Sequence, residues 1–307
     1  MKKRFILLIL IIFSTNITNT KKGPLEIWIL SQEKYYNSYS NRQMKAEAKK
    51  QNINVKLVNA GEIDIIESVP PTTNTTLPDC LLVRIGSDRK ERALAKNLET
   101  KGVLVINKAD AMKKSSNKFE SMQYMAANNL PIPKTILASF PIDIEKIKKY
   151  FGFPVVAKSC YGSHGKKVML CRNEKDIQKT RKLTGENNVI FQELVSDSYG
   201  RDIRVLIIDG KAVGAMLRQA PPGKFKSNFS AGGSVKQFKL TPRIKKLAED
   251  TAKAHDLEIA GVDILFDGND YKICEINSNP GIKGFEQATH MNIWKKIFTC
   301  IKEKFKN

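Results

Sequence analysis

Short apolar runs alternate with helical stretches in the first third of the chain. Leu25–Leu30, Ile53–Val58, Cys80–Ile85 and Val103–Ile106 are too short for helices and predict buried strands. The segments near 38–51 and 88–100 predict the helices between them. Alternation at this spacing predicts a parallel sheet of βαβ units, because parallel neighbours need a long crossover. Residues 68–79 are rich in Pro and Thr and predict a surface loop. No Gly-x-Gly-x-x-Gly follows the first strand, so a dinucleotide fold has no support.

After about residue 107 the pattern changes. Phe153–Lys158 and Lys167–Cys171 predict strands flanking a glycine-rich tip, Tyr161-Gly-Ser-His-Gly165. Val189–Val195 and Ile203–Ile208 predict further strands, and Asp209-Gly210 a turn into Ala212–Leu217. Thr241-Pro242 carries a cap and a first-turn proline, and predicts a helix with the stripe Ile244, Leu247, Ala248, Thr251 and Ala252. A last amphipathic helix after Asn292 places Ile293, Ile297, Phe298, Ile301 and Phe305 on one face. The later two-thirds is therefore α+β with antiparallel hairpins, distinct from the α/β unit before it.

The stretch Gly261–Asn277 carries the sharpest chemistry. Asp267-Gly-Asn-Asp270 predicts a turn between two apolar strands. Pairing Phe266 with Tyr271 puts Asp263 opposite Cys274, one residue from Glu275. Glu275 and Asn277 are two apart and share a face, with Ile276 on the other. Two carboxylates and an amide oxygen, without imidazole or thiolate ligands, suit Mg²⁺. The bland alternative is an exposed hairpin with incidental acids. Setting three polar groups among Ile264, Leu265, Ile273 and Ile276 without a cation is unfavourable, which argues for the metal.

The glycine tip can bring backbone N–H groups close to phosphates, although it lacks the spacing of a Walker loop. Lys158, ending the preceding strand, adds a compact positive charge beside it. His164, His255 and His290 read as solvated or structural.

Composition adds limits. The net charge is +21, which invites a nucleic-acid reading. The basic residues are spread along the chain with no aromatic-interleaved stripe, so a dedicated nucleic-acid binder is disfavoured and anionic small ligands fit equally well. Cys80, Cys160, Cys171, Cys274 and Cys300 form no CxxC pair and no Cys/His cluster, against a disulfide framework or zinc site. Lys2-Lys3-Arg4 precedes the apolar run Phe5–Phe13, the layout of a secretory signal or short anchor, or of an unstructured leader. Nine apolar residues are too few to span a bilayer. Asn228-Phe229-Ser230 is a sequon that falls within the nucleotide-site candidates, which tilts the expectation to the cytoplasm while export or tethering stays open.

Taken in order, these motifs resemble one family. They are Asn117-Lys118, Leu130-Pro-Ile-Pro133, Val155–Lys158 with its glycine loop, and Phe191-Gln-Glu-Leu-Val195. Asp202-Ile-Arg204, Lys226-Ser-Asn228 before Gly232-Gly233, Gly261-Val-Asp263 and Glu275-Ile-Asn-Ser-Asn-Pro-Gly281 complete the set. The set resembles the RimK-type branch of the ATP-grasp ligases over about residues 23–305. Residues 1–22 are left as the leader, which is foreign to bacterial members of that family; the resemblance implies a pre-ATP-grasp α/β domain at 23–112 and an ATP-grasp domain at 113–307. The last divides into a nucleotide-side part at 113–195 and a metal-site part at 196–307.

It also implies roles. Lys118 and Lys158 hold phosphates beside Gly162 and Gly165. Glu193, Leu194 and Val195 form the hinge that reads adenine, and Asp202 meets the ribose side. Lys226, Ser227 and Asn228 line the phosphate end. Asp263, Glu275 and Asn277 bind the metal, and Arg218 and Arg204 face the transferred phosphoryl group. The implied cofactors are ATP and two Mg²⁺ ions, with Mn²⁺ as a substitute. The implied activity is amide formation through an acyl phosphate, adding glutamate or another amino acid to a protein C-terminus or a small acid. The alternative is a nucleotide-binding interaction module without catalysis, and homo-oligomerisation is left open. This chain departs from the family in having Lys226 where Arg is usual, and Leu217-Arg218-Gln219 where the family has Glu-Arg-Arg-type sequence. An Arg-to-Lys change keeps the charge and loses a bidentate fork.

Overall fold

The computed structural model describes residues 23–63, 77–85, 89–162, 165, 167–185, 188–227 and 232–306. The leader, most of the Pro/Thr loop, His164, Asn228 and the rest of the sequon lie outside those residues. Among the described residues no helix is long and apolar enough to cross a membrane.

The first sheet is parallel, with strands β1 (Leu25–Leu30), β2 (Ile53–Val58), β3 (Cys80–Val83) and β4 (Leu104–Ile106) in the order β2-β1-β3-β4. Helices α1 (Tyr39–Lys50) and α2 (Arg89–Thr100) cover opposite faces. Alternation assigns the faces. Leu30, Leu81 and Val83 pack with Leu94, Ala95 and Leu98 of α2, whereas Ile27, Ile29 and Leu82 pack with Met44 and Ala48 of α1. The second face is not closed by α1 alone. The C-terminal helix α9 (Ile293–Lys304) returns to it with Trp294, Ile297, Phe298 and Ile301. Phe305, expected on that stripe, falls at the helix end and is 39% exposed.

Helices α3 (Ala109–Ser116) and α4 (Lys118–Ala127) follow β4. Asn117 caps α4, accepting from the N–H groups of Phe119 (2.9 Å) and Glu120 (3.3 Å), so Lys118 stands at the first helical position. The second sheet is antiparallel, with β5 (Thr135–Ser139), β6 (Val155–Lys158), β7 (Val168–Cys171) and β8 (Asn188–Glu193) in the order β5-β8-β6-β7. Helices α5 (Ile144–Phe151) and α6 (Glu174–Thr184) back it through a core of Ile147, Val155, Ala157, Cys171, Ile177, Val189 and Phe191.

The third sheet has the order β11-β10-β9-β12-β13, every pair antiparallel. Its strands are β9 (Arg201–Ile208), β10 (Lys211–Gln219), β11 (Ser234–Phe238), β12 (Ile259–Asp267) and β13 (Asp270–Asn277). Asp209 and Gly210 join β9 to β10 with φ of 54° and 67°, the primed turn that matches strand twist. Helix α7 (Pro242–Ala254) packs on this sheet through Ile244, Ala248 and Ala252, after Thr241 caps it at Ile244 N–H. Helix α8 (Lys283–Thr289) precedes α9.

One expectation of register is corrected. Phe266 does face Tyr271, but a β-bulge between Asp263 and Ile264 places Asp263 opposite Glu275 instead of Cys274. The cause lies in the core. Ile273 and Ile276 are three apart and both fully buried in the same cluster, which period-two alternation cannot achieve. One extra residue on β13 resolves the conflict, and both Cys274 and Glu275 then face the cleft described next.

Candidate active site

The second and third sheets face each other across a cleft, and the chain's chemistry collects there. Lys158 ends β6, Glu193 ends β8, and Leu194 and Val195 continue from it. From the opposite side come Asp202 of β9, Arg218 of β10, Asp263 of β12 and Glu275 of β13. Lys118 enters from the start of α4, and Lys226 and Ser227 from the β10–β11 connection. Gly162 and Gly165 close the top.

Direct cross-strand pairing builds the floor. Arg218 lies opposite Asp202, Asp263 opposite Arg204, and Asp263 opposite Glu275. The guanidinium of Arg218 grips Asp202 with two bonds, Nε to Oδ1 at 2.6 Å and Nη2 to Oδ2 at 2.5 Å. It also reaches Asp263 Oδ2 at 2.9 Å. Arg204 donates to both oxygens of Asp263, at 2.6 and 2.7 Å. Ser227 Oγ donates to Asp202 at 2.7 Å. Burial works against the Asp263 carboxylate, but the two guanidiniums outweigh it and hold the group below the usual carboxylate range. Burial likewise disfavours the Arg218 cation, and Asp263 and Asp202 more than reverse that, so it stays charged.

The lysines tie the lobes together. Lys158 Nζ donates to Gln192 Oε1 at 2.6 Å and lies 3.5 Å from Cys274 Sγ. Lys118 Nζ donates to the Gly162 carbonyl at 2.5 Å and stands 3.9 Å from Glu275. Lys226 Nζ donates to the Gly165 carbonyl at 2.8 Å, and burial lowers its pKa. At the hinge, Glu193 accepts from Lys272 Nζ at 2.6 Å and from the Lys134 N–H at 3.0 Å. Burial raises the Glu193 pKa, but those donors win and the net shift is downward. Burial pushes the Cys274 thiol up against the pull of Lys158, which keeps it a poor nucleophile.

Among the residues expected from sequence, Arg204 and Asn277 do not line the cleft, although each touches a residue that does. Asp202, expected at the ribose side, lines the cleft, and both its oxygens accept from Arg218. Sequence reasoning missed Gln192, Tyr199, Phe225, Leu265 and Cys274 as lining residues. Gln192 shares the Lys158 face because it pairs with Val156, a register the sequence does not display, whereas Cys274 was detectable from the odd spacing of Ile273 and Ile276. His255, read as structural, is buried between Ser121 Oγ (2.8 Å) and the Thr251 carbonyl (2.9 Å).

No three His, Cys, Asp or Glu side chains among the described residues are grouped to hold a metal. Here the carboxylates of Asp263 and Glu275 face each other across a strand pair, and Asn277 contacts Glu275 through its Nδ2, donating to Oε1 at 3.0 Å, so that its own Oδ1 is the oxygen left to serve as a third donor. This all-oxygen set fits a hard dication. Glu275 is the less committed carboxylate, since both oxygens of Asp263 accept from arginine.

Comparison with known proteins gives the family and the fold. A family model described as the RimK-like ATP-grasp domain matches residues 115–301. A probable alpha-L-glutamate ligase of Legionella pneumophila (strain Corby) is 34% identical over 280 residues, covering 87% of this chain and 93% of its own length. One from Psychromonas ingrahamii is 34% identical over 293 residues, covering 92% and 96%. Among solved structures, the ATP-grasp ligase PsnB complexed with minimal precursor, Mg and ADP superposes with a TM-score of 0.70 at 16% identity, covering 92% and 98%. The D-alanine–D-alanine ligase of Bacillus anthracis complexed with ATP gives 0.67 at 16% identity, covering 92% and 97%. At that identity the likeness shows a shared fold, the ATP-grasp fold.

Proposed function

This chain belongs to the RimK-like ATP-grasp family and is an ATP-dependent ligase that joins a carboxylate to an amine, and we propose that it does so through an acyl phosphate, with glutamate or a similar amino acid as the amine and a protein C-terminus or small acid as the carboxylate. The glutamate preference rests on the probable alpha-L-glutamate ligases among its relatives. The observation that carries the site is one cleft in which Lys118, Lys158 and Lys226, from three separate elements, stand across from Asp263 and Glu275.

In the first step a carboxylate oxygen attacks the γ-phosphorus of ATP. The bond from that phosphorus to the β-bridging oxygen breaks, releasing ADP and leaving an acyl phosphate. In the second step the amine nitrogen attacks the acyl carbon, phosphate departs with the C–O electron pair, and the nitrogen loses a proton. A free carboxylate is a poor electrophile, and phosphorylation supplies its leaving group.

The chain contributes placement and charge. Lys118 and Lys158 take the α- and β-phosphates, exchanging the Gly162 carbonyl and Gln192 for phosphate oxygens. Lys226 and Ser227, with Asn228, attend the phosphate end. The backbone from Glu193 to Val195 reads adenine, and the Lys272 contact fixes that hinge. Asp202 aims Arg218 at the transferred phosphoryl group, and Arg204 stands behind it on Asp263. Glu275, Asn277 and Asp263 would hold Mg²⁺, which neutralises charge on the phosphate oxygens.

ADP release with candidate amino acids and acidic peptides tests this reading. Glu275→Ala should lower it by at least about 100-fold, as expected when transition-state charge loses its partner, with an unchanged unfolding temperature. Wild-type turnover in that variant would remove the metal assignment.

A further inference from the structure

The segment Leu130-Pro-Ile-Pro133 lines no part of the cleft, yet a chain of hydrogen bonds runs from it to Lys158. The Pro131 carbonyl accepts from the Ile273 N–H at 2.7 Å, which ties the segment to β13 two residues before Glu275. The Pro133 carbonyl accepts from Thr135 Oγ1 at 2.8 Å. Thr135 stands opposite Gln192 across β5 and β8, and Gln192 Nε2 donates to its Oγ1 at 2.9 Å and to Met122 Sδ at 3.4 Å. Gln192 in turn faces Val156 of β6, which puts it diagonal to Lys158 on the same side of the sheet. Its Oε1 accepts from Lys158 Nζ at 2.6 Å.

The order of donors and acceptors fixes which way the amide turns. A carbonyl only accepts, and a hydroxyl has one proton to give. With that proton on Pro133, Thr135 Oγ1 accepts from Gln192, so the amide presents its NH2 to Thr135 and its oxygen to Lys158. The opposite turn would set N–H donors against an ammonium, which has no acceptor.

A neutral partner suits a lysine that has to meet phosphate. Lys158 is buried, and a buried ammonium without an acceptor is unfavourable. Carboxylates are close at hand. Cys274 Sγ, 3.5 Å from Lys158 Nζ, also feels the charges of Glu275, Asp263 and Asp202. Lys158 pairs with none of them among the described residues, whereas Lys118 stands 3.9 Å from Glu275. An ion pair would cancel the charge that the triphosphate meets, and it is stronger than a bond to a neutral oxygen, hence harder to give up. An amide oxygen satisfies the ammonium and leaves its charge whole.

Resting on the reading above that Lys158 takes a phosphate, we propose that Gln192 is the positioning residue of this lysine. It is a neutral holder that keeps Lys158 off the cleft carboxylates until the nucleotide takes its place, and Thr135 orients it. The Leu130–Pro133 segment supplies the fixed carbonyl from which that orientation starts.

The test measures Mg-ADP and adenosine binding to the full chain by calorimetry, with the unfolding temperature alongside. Adenosine lacks the phosphates that meet Lys158, so it separates a misdirected lysine from a distorted pocket. Gln192→Met keeps the length and removes the acceptor. It should weaken Mg-ADP binding by about 10-fold or more, the range for losing a hydrogen bond to a charged group, and leave adenosine within about twofold. Thr135→Val should act in the same direction to a lesser degree, because the amide is then free to turn its NH2 to the lysine. Thr135→Ser keeps the hydroxyl and should recover most of that loss. This pair decides the matter if Gln192→Met does not fold. Unchanged or tighter Mg-ADP binding in Gln192→Met overturns the proposal, since Gln192 would then only compete with phosphate. An equal loss of Mg-ADP and adenosine assigns Gln192 to packing and overturns it too, and equal losses in Thr135→Val and Thr135→Ser overturn the orienting role. Each of these leaves the ligase reading standing. If the wild-type chain binds Mg-ADP no more tightly than adenosine, the placement of phosphate on Lys158 fails, and this proposal with it.

Discussion

Glu193 illustrates how single side chains set the hinge. It ends β8, and its carboxylate is fixed by Lys272 from β13, so one ion pair joins the second sheet to the third. Lys272 also stands 3.1 Å from Asp267, and its own pKa is raised by these partners in spite of burial. Lys272→Met should destabilise the chain by about 1 kcal/mol at pH 7, typical of a partly exposed charged hydrogen bond. The sign with pH follows from the lowered Glu193 pKa. A group depressed on folding stabilises fully above its unfolded value, close to the ordinary 4.5, and loses that contribution as pH falls through the folded value. The gap between wild type and Lys272→Met should therefore close below about pH 4.5, as urea unfolding at pH 7 and pH 3 would reveal. An undiminished gap at pH 3 assigns the effect to packing of the lysine stem.

Among elements, the start of β9 shows why backbone geometry matters to the site. Gly200 has φ +70°, and a Cβ there would meet the Lys224 carbonyl at 2.6 Å. Its N–H donates to the Phe225 carbonyl at 3.3 Å and its carbonyl accepts from Ala220 at 2.7 Å, so it pins the connection that carries Lys226 and Ser227. Gly200→Ala should destabilise the chain by about 1–3 kcal/mol, the range for a strained left-handed residue. It should also raise the ATP KM, read from thermal unfolding alongside ADP-release kinetics. A stable variant with normal nucleotide affinity would show that the loop does not depend on this pin. The strands, the cap at Thr241 and the Asp209-Gly210 turn were legible in the sequence because each rests on local chemistry. The bulge at Cys274 was not read, since it answers to where Ile273 and Ile276 must both go, a demand set by α7 across the core. The commitment of Asp202 to Arg218 was hidden for a similar reason: it depends on the β9–β10 register, not on either residue's neighbours in sequence.

At the scale of the whole molecule the three sheets are not equally bound together. The core under the first sheet runs from Ile27, Ile29 and Leu82 through Leu206 and Ile259 of the third sheet to Phe285, Trp294 and Phe298. The amphipathic pattern of α9 was visible in sequence, but its partner, the first sheet at the other end of the chain, was not. The core of the second sheet, by contrast, draws only on its own strands, its two helices and the segments next to them. Cooperative units follow contiguous cores, so the first and third sheets should unfold together and the second should open alone. Hydrogen exchange should find the amides of β5–β8 less protected than those of β1, β3, β9 and β12, and adding ATP with Mg²⁺ should protect β6 and β8 most, because Lys158 and Glu193 end those strands at the cleft. Truncation after Asn292 should remove protection from β1 and β3 as well as β9, because it strips Trp294, Ile297, Phe298 and Ile301 from the shared core. Retained protection in β1 and β3 after that truncation would mean that the first sheet folds on its own, and that its hold on the Pro280 turn through Arg84 and Asn107 is a docking contact between separable units.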